Sequence, residues 1–171
     1  VILHFLRHAQ AEQFNSRKHQ HDRDRLLSPE GRQKMELAAR GFLKSGVKFE
    51  KILSSPYPRA VETAQIVSDI FSYRNEVTLS EHLTPEALYH KFRKEFLAAW
   101  SKLESVLIVT HQPFVSECIS VLLTGRDDPL LSINMGTGTL CSLEIDPQWT
   151  SPAILLSIVH TDQAALFGAS R

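Results

Sequence analysis

The chain has 171 residues, 43% hydrophobic and 22% charged, with 19 basic residues balancing 19 acidic ones. That length suits one globular domain over residues 1–171, and a zero net charge argues against a nucleic-acid binder, which carries a basic excess. No apolar run approaches the roughly 20 residues of a membrane span, and the two cysteines, Cys118 and Cys141, lie in apolar runs, so a non-membrane protein of a reducing, cytoplasmic compartment is expected.

Residues 1–6 form a short apolar run ending at the Arg7-His8 pair, as a buried strand does. Residues 9–27 are polar and irregular. Ser28-Pro29-Glu30 supplies an N-cap, a first helical residue and a first-turn acid. The helix so opened runs to about Lys44, where Gly46 stops it. Residues 49–53 read as a second strand. A helix over 59–71 carries Ala60, Ala64, Val67 and Phe71 on one face, and 77–79 is a short strand. Thr84-Pro85-Glu86 repeats the cap pattern and predicts a helix to about Lys102, with Leu88, Phe92, Phe96 and Trp100 along one side. Residues 106–110, β-branched and nearly uncharged, suit a central parallel strand. Pro113 opens a helix through Leu123 that Gly125 ends. Strands over 139–145 and 154–160, joined at Asp146-Pro147, close the chain. This order predicts an α/β fold: a three-layer sandwich with a mostly parallel sheet, helices on both faces and an antiparallel edge. Ligands of such sheets bind beyond the carboxyl ends of the strands, and His8 and His111 both fall there.

Three segments carry the chemistry. In the first, Arg7 offers a planar, permanently charged fork for phosphate oxygens, and a neutral His8 imidazole can attack phosphorus. In the second, Arg59 follows Ser55-Pro56-Tyr57-Pro58 at a helix start, where backbone N–H groups favour an anion. In the third, His111 ends the most strand-like run and can stabilise charge developing on a phosphoryl oxygen, with the N–H of Gln112 beside it. Each residue also has a plain alternative: a solvated arginine, or a histidine satisfied by a carbonyl at the edge of the core.

In order and context, Arg7-His8, the Ser55-Pro56-x-x-Arg59-Ala60-x-x-Thr63-Ala64 turn and Thr110-His111-x-Pro113 resemble the histidine phosphatase superfamily, the phosphoglycerate-mutase-like fold. Within it the chain is similar to the small SixA-type phosphohistidine phosphatases. Asp24-Arg25-Leu26-Leu27-Ser28-Pro29-Glu30-Gly31 is similar to the Arg-Pro-Leu-(Thr/Ser)-x-x-Gly segment of that branch, and Glu81-His82-Leu83-Thr84-Pro85 to its Glu-Leu-Thr-Pro stretch.

The resemblance implies His8 as the phosphorylated nucleophile, Arg7 and Arg59 as phosphoryl clamps, and His111 completing the pocket. Glu81 is the positional match for a proton donor. Ala9 stands where the family has Gly, and so lacks glycine's freedom at positive φ. Neither metal nor cofactor is implied. The short interval between Glu81 and His111 leaves no room for a large cap domain, so an open pocket is expected. Such a pocket suits a phosphorylated protein, such as a histidine phosphotransfer domain, and inorganic phosphate would be the product. Among the loop cations Arg17, Lys18, Arg23 and Arg25, the last is the candidate for steering an acidic partner. A phosphomonoesterase for small phosphorylated molecules, a non-catalytic phosphoprotein-binding module, and a metal site built on His19, His21, Asp22 and Asp24 are the competing readings.

Overall fold

The computed structural model describes residues 1–170. Six strands form one sheet: β1 (Ile2–Arg7), β2 (Lys51–Ser54), β3 (Thr78–Leu79), β4 (Ser105–Thr110), β5 (Leu140–Glu144) and β6 (Ile154–Val159). Their order is β3-β2-β4-β1-β5-β6, parallel from β3 to β1 and antiparallel at β5 and β6. The helices are α1 (Pro29–Lys44), α2 (Pro58–Ile70), α3 (Tyr89–Ala99), α4 (Phe114–Thr124) and α5 (Thr161–Ala169).

The sheet separates two apolar cores. On one side Leu3, Phe5, Val106 and Ile108 pack with Phe92 and Phe96 of α3 and Phe114, Val115 and Ile119 of α4. On the other, Leu6, Ile52, Leu107 and Val109 meet Met35, Ala38 and Phe42 of α1, Ala60 and Ala64 of α2 and Ala164 of α5. The central strands are thus buried on both faces, which is why β1 and β4 read as unbroken apolar runs. Cys118 and Cys141 are buried and unpaired, and burial pushes both thiols up. Among the described residues no helix is long and apolar enough to cross a membrane.

Cap chemistry sets α1 where the sequence predicts it. Ser28 Oγ accepts from the Gly31 N–H at 3.0 Å and Pro29 opens the helix. Gly46 lies in the left-handed region just beyond it, at φ +81°. Two expectations fail. The helix predicted from Thr84 begins only at Tyr89 and ends at Ala99. Residues Glu81–Leu83 form a 3-10 turn instead, and the Thr84 hydroxyl donates back to the Glu81 carbonyl rather than capping a helix. The chain also continues past β6 into an unforeseen helix, α5. Its small residues bring it against α1: a Cβ on Gly41 would lie 1.9 Å from the Ala164 carbonyl oxygen.

Candidate active site

The site grows out of the β1–β4 pairing. Arg7 stands opposite Thr110 in the parallel register, so the next residues, His8 and His111, emerge side by side. Their ring centroids are 4.9 Å apart. The His8 N–H still donates to the Thr110 carbonyl at 2.9 Å, and Gly138 N–H reaches the Arg7 and His8 carbonyls. The loop after β1 is held further by Ala9, whose N–H donates to Thr63 Oγ1 of α2 at 3.0 Å. Ala9 is buried and is not among the residues with positive φ, so its methyl group replaces glycine without strain. Gly31 takes the role of close approach instead: a Cβ there would lie 2.0 Å from the Gln10 carbonyl oxygen.

The tautomer of His8 follows from its partners. Nδ1 lies 2.7 Å from the Ala9 carbonyl oxygen, which can only accept, so the ring proton is on Nδ1. Nε2 keeps its lone pair and receives a 3.3 Å hydrogen bond from Arg59 Nε. Burial, with the Arg59, Arg7 and Arg25 charges adding to it, lowers the His8 pKa to about 3. His111 is pushed down to about 2, again chiefly by burial. Both rings are therefore neutral at physiological pH. His111 Nε2 lies 2.8 Å from Ser55 Oγ. A Ser55 hydroxyl that donates there leaves the ring proton on Nδ1, which has no partner within the protein.

The cations surround these rings. Arg7 Nη1 donates to the Met135 carbonyl at 2.8 Å, while its Nε has no protein partner. Arg59, in the first turn of α2, is buried beside the face of Tyr57. Its Nη1 donates to the Asp22 carbonyl at 2.9 Å and its Nη2 to Asp22 Oδ2 at 3.3 Å. Arg25 also faces Asp22, Nε to Oδ1 at 2.9 Å, in an ion pair whose angle is not that of a hydrogen bond. Its Nη1 donates to the Glu12 carbonyl at 2.9 Å. A cavity of about 640 Å³ opens over these groups, lined by Arg7, His8, Arg25, Arg59, His111 and Gln112 together with Asp22, Arg23, Tyr57, Glu86 and Thr137. Arg17 and Lys18 do not line it, and Lys18 is drawn to Glu12.

Glu81 is the predicted residue the structure leaves out. Its side chain is exposed in the 3-10 turn and does not line the cavity. The carboxylates that do are Asp22 and Glu86, the latter accepting from the Tyr57 hydroxyl at 3.2 Å. The His19, His21, Asp22 and Asp24 cluster disperses: His19 faces Glu12, Asp22 the two arginines, and Asp24 caps the His21 N–H. Ser55, Thr63 and Asp22 act through tertiary contacts that the sequence reading did not foresee.

A neutral imidazole with a free lone pair, a second neutral imidazole and four guanidinium groups around one open cavity are the parts from which a phosphatase's phosphoryl-transfer site can be built. The sequence profile of the histidine phosphatase superfamily (branch 1) matches residues 3–84. The phosphohistidine phosphatase SixA of Escherichia coli (strain K12) is 26% identical over 132 residues, covering 73% of this chain and 76% of that protein. The solved structure of the protein histidine phosphatase SixA complexed with tungstate superposes with a TM-score of 0.80 at 21% identity, over 95% of this chain and 98% of the other. The α-ribazole phosphatase of Shigella flexneri gives 0.71 at 15% identity, over 94% and 97%. At these identities the two solved structures speak for the fold alone. Residues 3–84 thus match the histidine phosphatase superfamily, and the chain is similar to its SixA-type members.

Proposed function

We propose that this phosphatase removes the phosphoryl group from phosphohistidine on a protein, through a covalent phospho-His8 intermediate. The observation that carries this reading is the pairing of a deprotonated His8 Nε2 with a cavity that offers no free carboxylic acid. Asp22 is tied to two guanidinium groups, Glu86 accepts from Tyr57, and Glu81 stands outside. An alkoxide leaving group needs a proton from the enzyme, whereas the imidazole of a phosphohistidine can leave already protonated.

In the first step His8 Nε2 attacks phosphorus in line, the new P–N bond forms and the bond to the substrate imidazole breaks. Arg59 keeps its Nε proton and switches the Nε–H hydrogen bond from His8 Nε2 to a phosphoryl oxygen as His8 engages phosphorus. Arg7 Nε and His111 Nδ1, two buried polar atoms without hydrogen-bond partners in the protein, meet the remaining oxygens. In the second step water attacks phospho-His8, the P–N bond breaks, and orthophosphate leaves with the imidazole restored. The low His8 pKa keeps the ring nucleophilic throughout the neutral range. The open cavity suits a side chain presented by a folded partner, such as a histidine phosphotransfer domain. Arg23 and Arg25 on its rim favour an acidic partner surface.

The test is a comparison of turnover, with a chelator present, of a phosphohistidine-bearing phosphotransfer domain and of an alkyl phosphate. Preference for the protein, abolished in His8→Ala, is expected. Equal or faster turnover of the ester would replace this reading with a broad phosphomonoesterase using Tyr57 and Glu86 as its acid. Unimpaired turnover by His8→Ala would refute the covalent mechanism.

A further inference from the structure

The two edges of the sheet differ. β3 ends it with two residues, Thr78 and Leu79. β6 ends it with six, Ile154-Leu155-Leu156-Ser157-Ile158-Val159, which carry neither charge nor proline. Natural edge strands are ordinarily kept short, charged, covered or bulged; β6 is long and uncharged, and a bulge at Leu156 is its one such device. Ile154, Leu155 and Leu156 are 61%, 45% and 47% exposed. The register passes from Ser142–Ser157 to Leu143–Leu155, so Leu156 is skipped and has no partner on β5. On the other side of the sheet edge, Leu166 and Phe167 of α5 are 75% and 59% exposed and share a groove with Val159, while Leu155, opposite Leu143, faces the α3–α4 side.

We infer that this β6–α5 face is the contact surface of a two-fold homodimer. Ile154, Leu156, Leu166 and Phe167 expose roughly 500 Å² of largely apolar area per chain, within the range for the largest patch on a typical monomer. Two copies joined about a two-fold axis would bury about 1,000 Å², the least that a biological interface clears, so the dimer is a weak one. A two-fold axis brings like residues together, so an uncharged patch meets itself without repulsion. The chain as a whole adds none, its net charge being zero. Glu144, opposite Ile154, and the Lys34–Asp162 ion pair supply a polar rim. None of Ile154, Leu155, Leu156, Leu166 and Phe167 lines the catalytic cavity, so the contact leaves both sites open to a protein substrate.

Sedimentation velocity of the 171-residue chain, from micromolar to submillimolar concentration, tests this. The expected result is a mass rising from 19.3 kDa toward twice that value. The double variant Leu156→Lys, Leu166→Glu should weaken association by at least about 100-fold. It should keep the circular dichroism and phosphatase turnover of the parent, since both side chains face solvent. Leu79→Lys, on the opposite edge, should leave association unchanged. A parent chain that stays at 19.3 kDa throughout overturns the proposal and leaves the patch to a different protein. A dimer that survives the double variant, or dissolves with Leu79→Lys, overturns it as well.

Discussion

Replacing Asp22 by Asn should make the enzyme bind phosphate more tightly. Each nitrogen of the Arg59 guanidinium already has a partner: Nε has His8 at 3.3 Å, Nη1 the Asp22 carbonyl at 2.9 Å, and Nη2 Asp22 Oδ2 at 3.3 Å. The other carboxylate oxygen of Asp22 lies 2.9 Å from Arg25 Nε. An incoming phosphoryl group must therefore displace a carboxylate that mimics it. The Asp22 side chain is 62% exposed, so water screens both ion pairs, and each is worth only about 0.2–1 kcal/mol. Losing the pair costs the phosphoryl group about 0.5–1.5 kcal/mol, which Asp22→Asn would return as an affinity gain of about 2- to 10-fold. Asn preserves the backbone carbonyl contact and nearly the same shape, so Arg59 stays in place. The assay is competitive inhibition by orthophosphate, parent against variant, at matched ionic strength. Inhibition that is unchanged, or weaker in the variant, would show that Asp22 organises Arg59 for the substrate instead of competing with it.

Three further outcomes follow from the same geometry. Gly31→Ala drives a methyl group into the Gln10 carbonyl, two residues from the nucleophile; urea denaturation should show a loss of about 1–3 kcal/mol, and turnover should fall with it. Ser55→Ala removes the partner of His111 Nε2; a drop in kcat of about 10-fold with KM little changed is expected, and an unchanged kcat would separate Ser55 from the reaction. Unfolded histidine titrates near pH 6.5, but folded His8 titrates at about 3 and folded His111 at about 2, so the unfolded chain binds more protons in between. The stability due to neutral burial is thus complete above pH 6.5 and is lost as pH falls toward 3, at up to about 1.4 kcal/mol per pH unit for each ring; His8→Ala should flatten the pH 6.5–4 slope by one proton, and an identical slope would contradict the lowered pKa.

How far the sequence could be read depended on whether local chemistry or packing decided each element. Ser28, Pro29 and Gly46 place α1 because caps act within a few residues. Thr84-Pro85-Glu86 carries the same signal and misleads, because Leu83 is buried and its carbonyl accepts from the Thr110 hydroxyl at 2.6 Å. That tie holds the segment in a turn, and the helix waits for Tyr89. α5 lacks an amphipathic stripe: its contact face is made of small residues, Ala164 and Gly168, and its large ones, Leu166 and Phe167, point outward. At the site, strand ends announce His8 and His111, and the helix start announces Arg59. Ser55 and Asp22 meet those residues only through tertiary folding, across 56 and 37 positions; Ser55 stands in the motif before Arg59 but nothing there announces its contact with His111, and no local pattern marks Asp22. Glu81 shows the reverse failure, a motif position whose side chain the turn directs away from the cavity.

The division of labour within the site explains why one framework can serve different phosphoryl donors. The distance between the two imidazoles is set by the β1–β4 register in the middle of the sheet, where both strands are buried on both faces. Changing it would mean shifting a parallel ladder, at the cost of two cores. The groups that meet the rest of the substrate come from elsewhere: Asp22, Arg23 and Arg25 from the loop after β1, Pro85 and Glu86 from the segment before α3, Thr137 from the loop before β5. These segments can vary without moving His8 against His111. On the proposed mechanism, attack on phosphorus is therefore a property of the sheet, and the choice of what brings the phosphoryl group is a property of the rim. A free acid introduced on that rim, through Glu86 released from Tyr57, would be the shortest route from a phosphohistidine substrate to a phosphate ester. Tyr57→Phe, which frees Glu86, should raise ester turnover relative to phosphohistidine turnover; a ratio that stays put would place the source of specificity outside the proton donor.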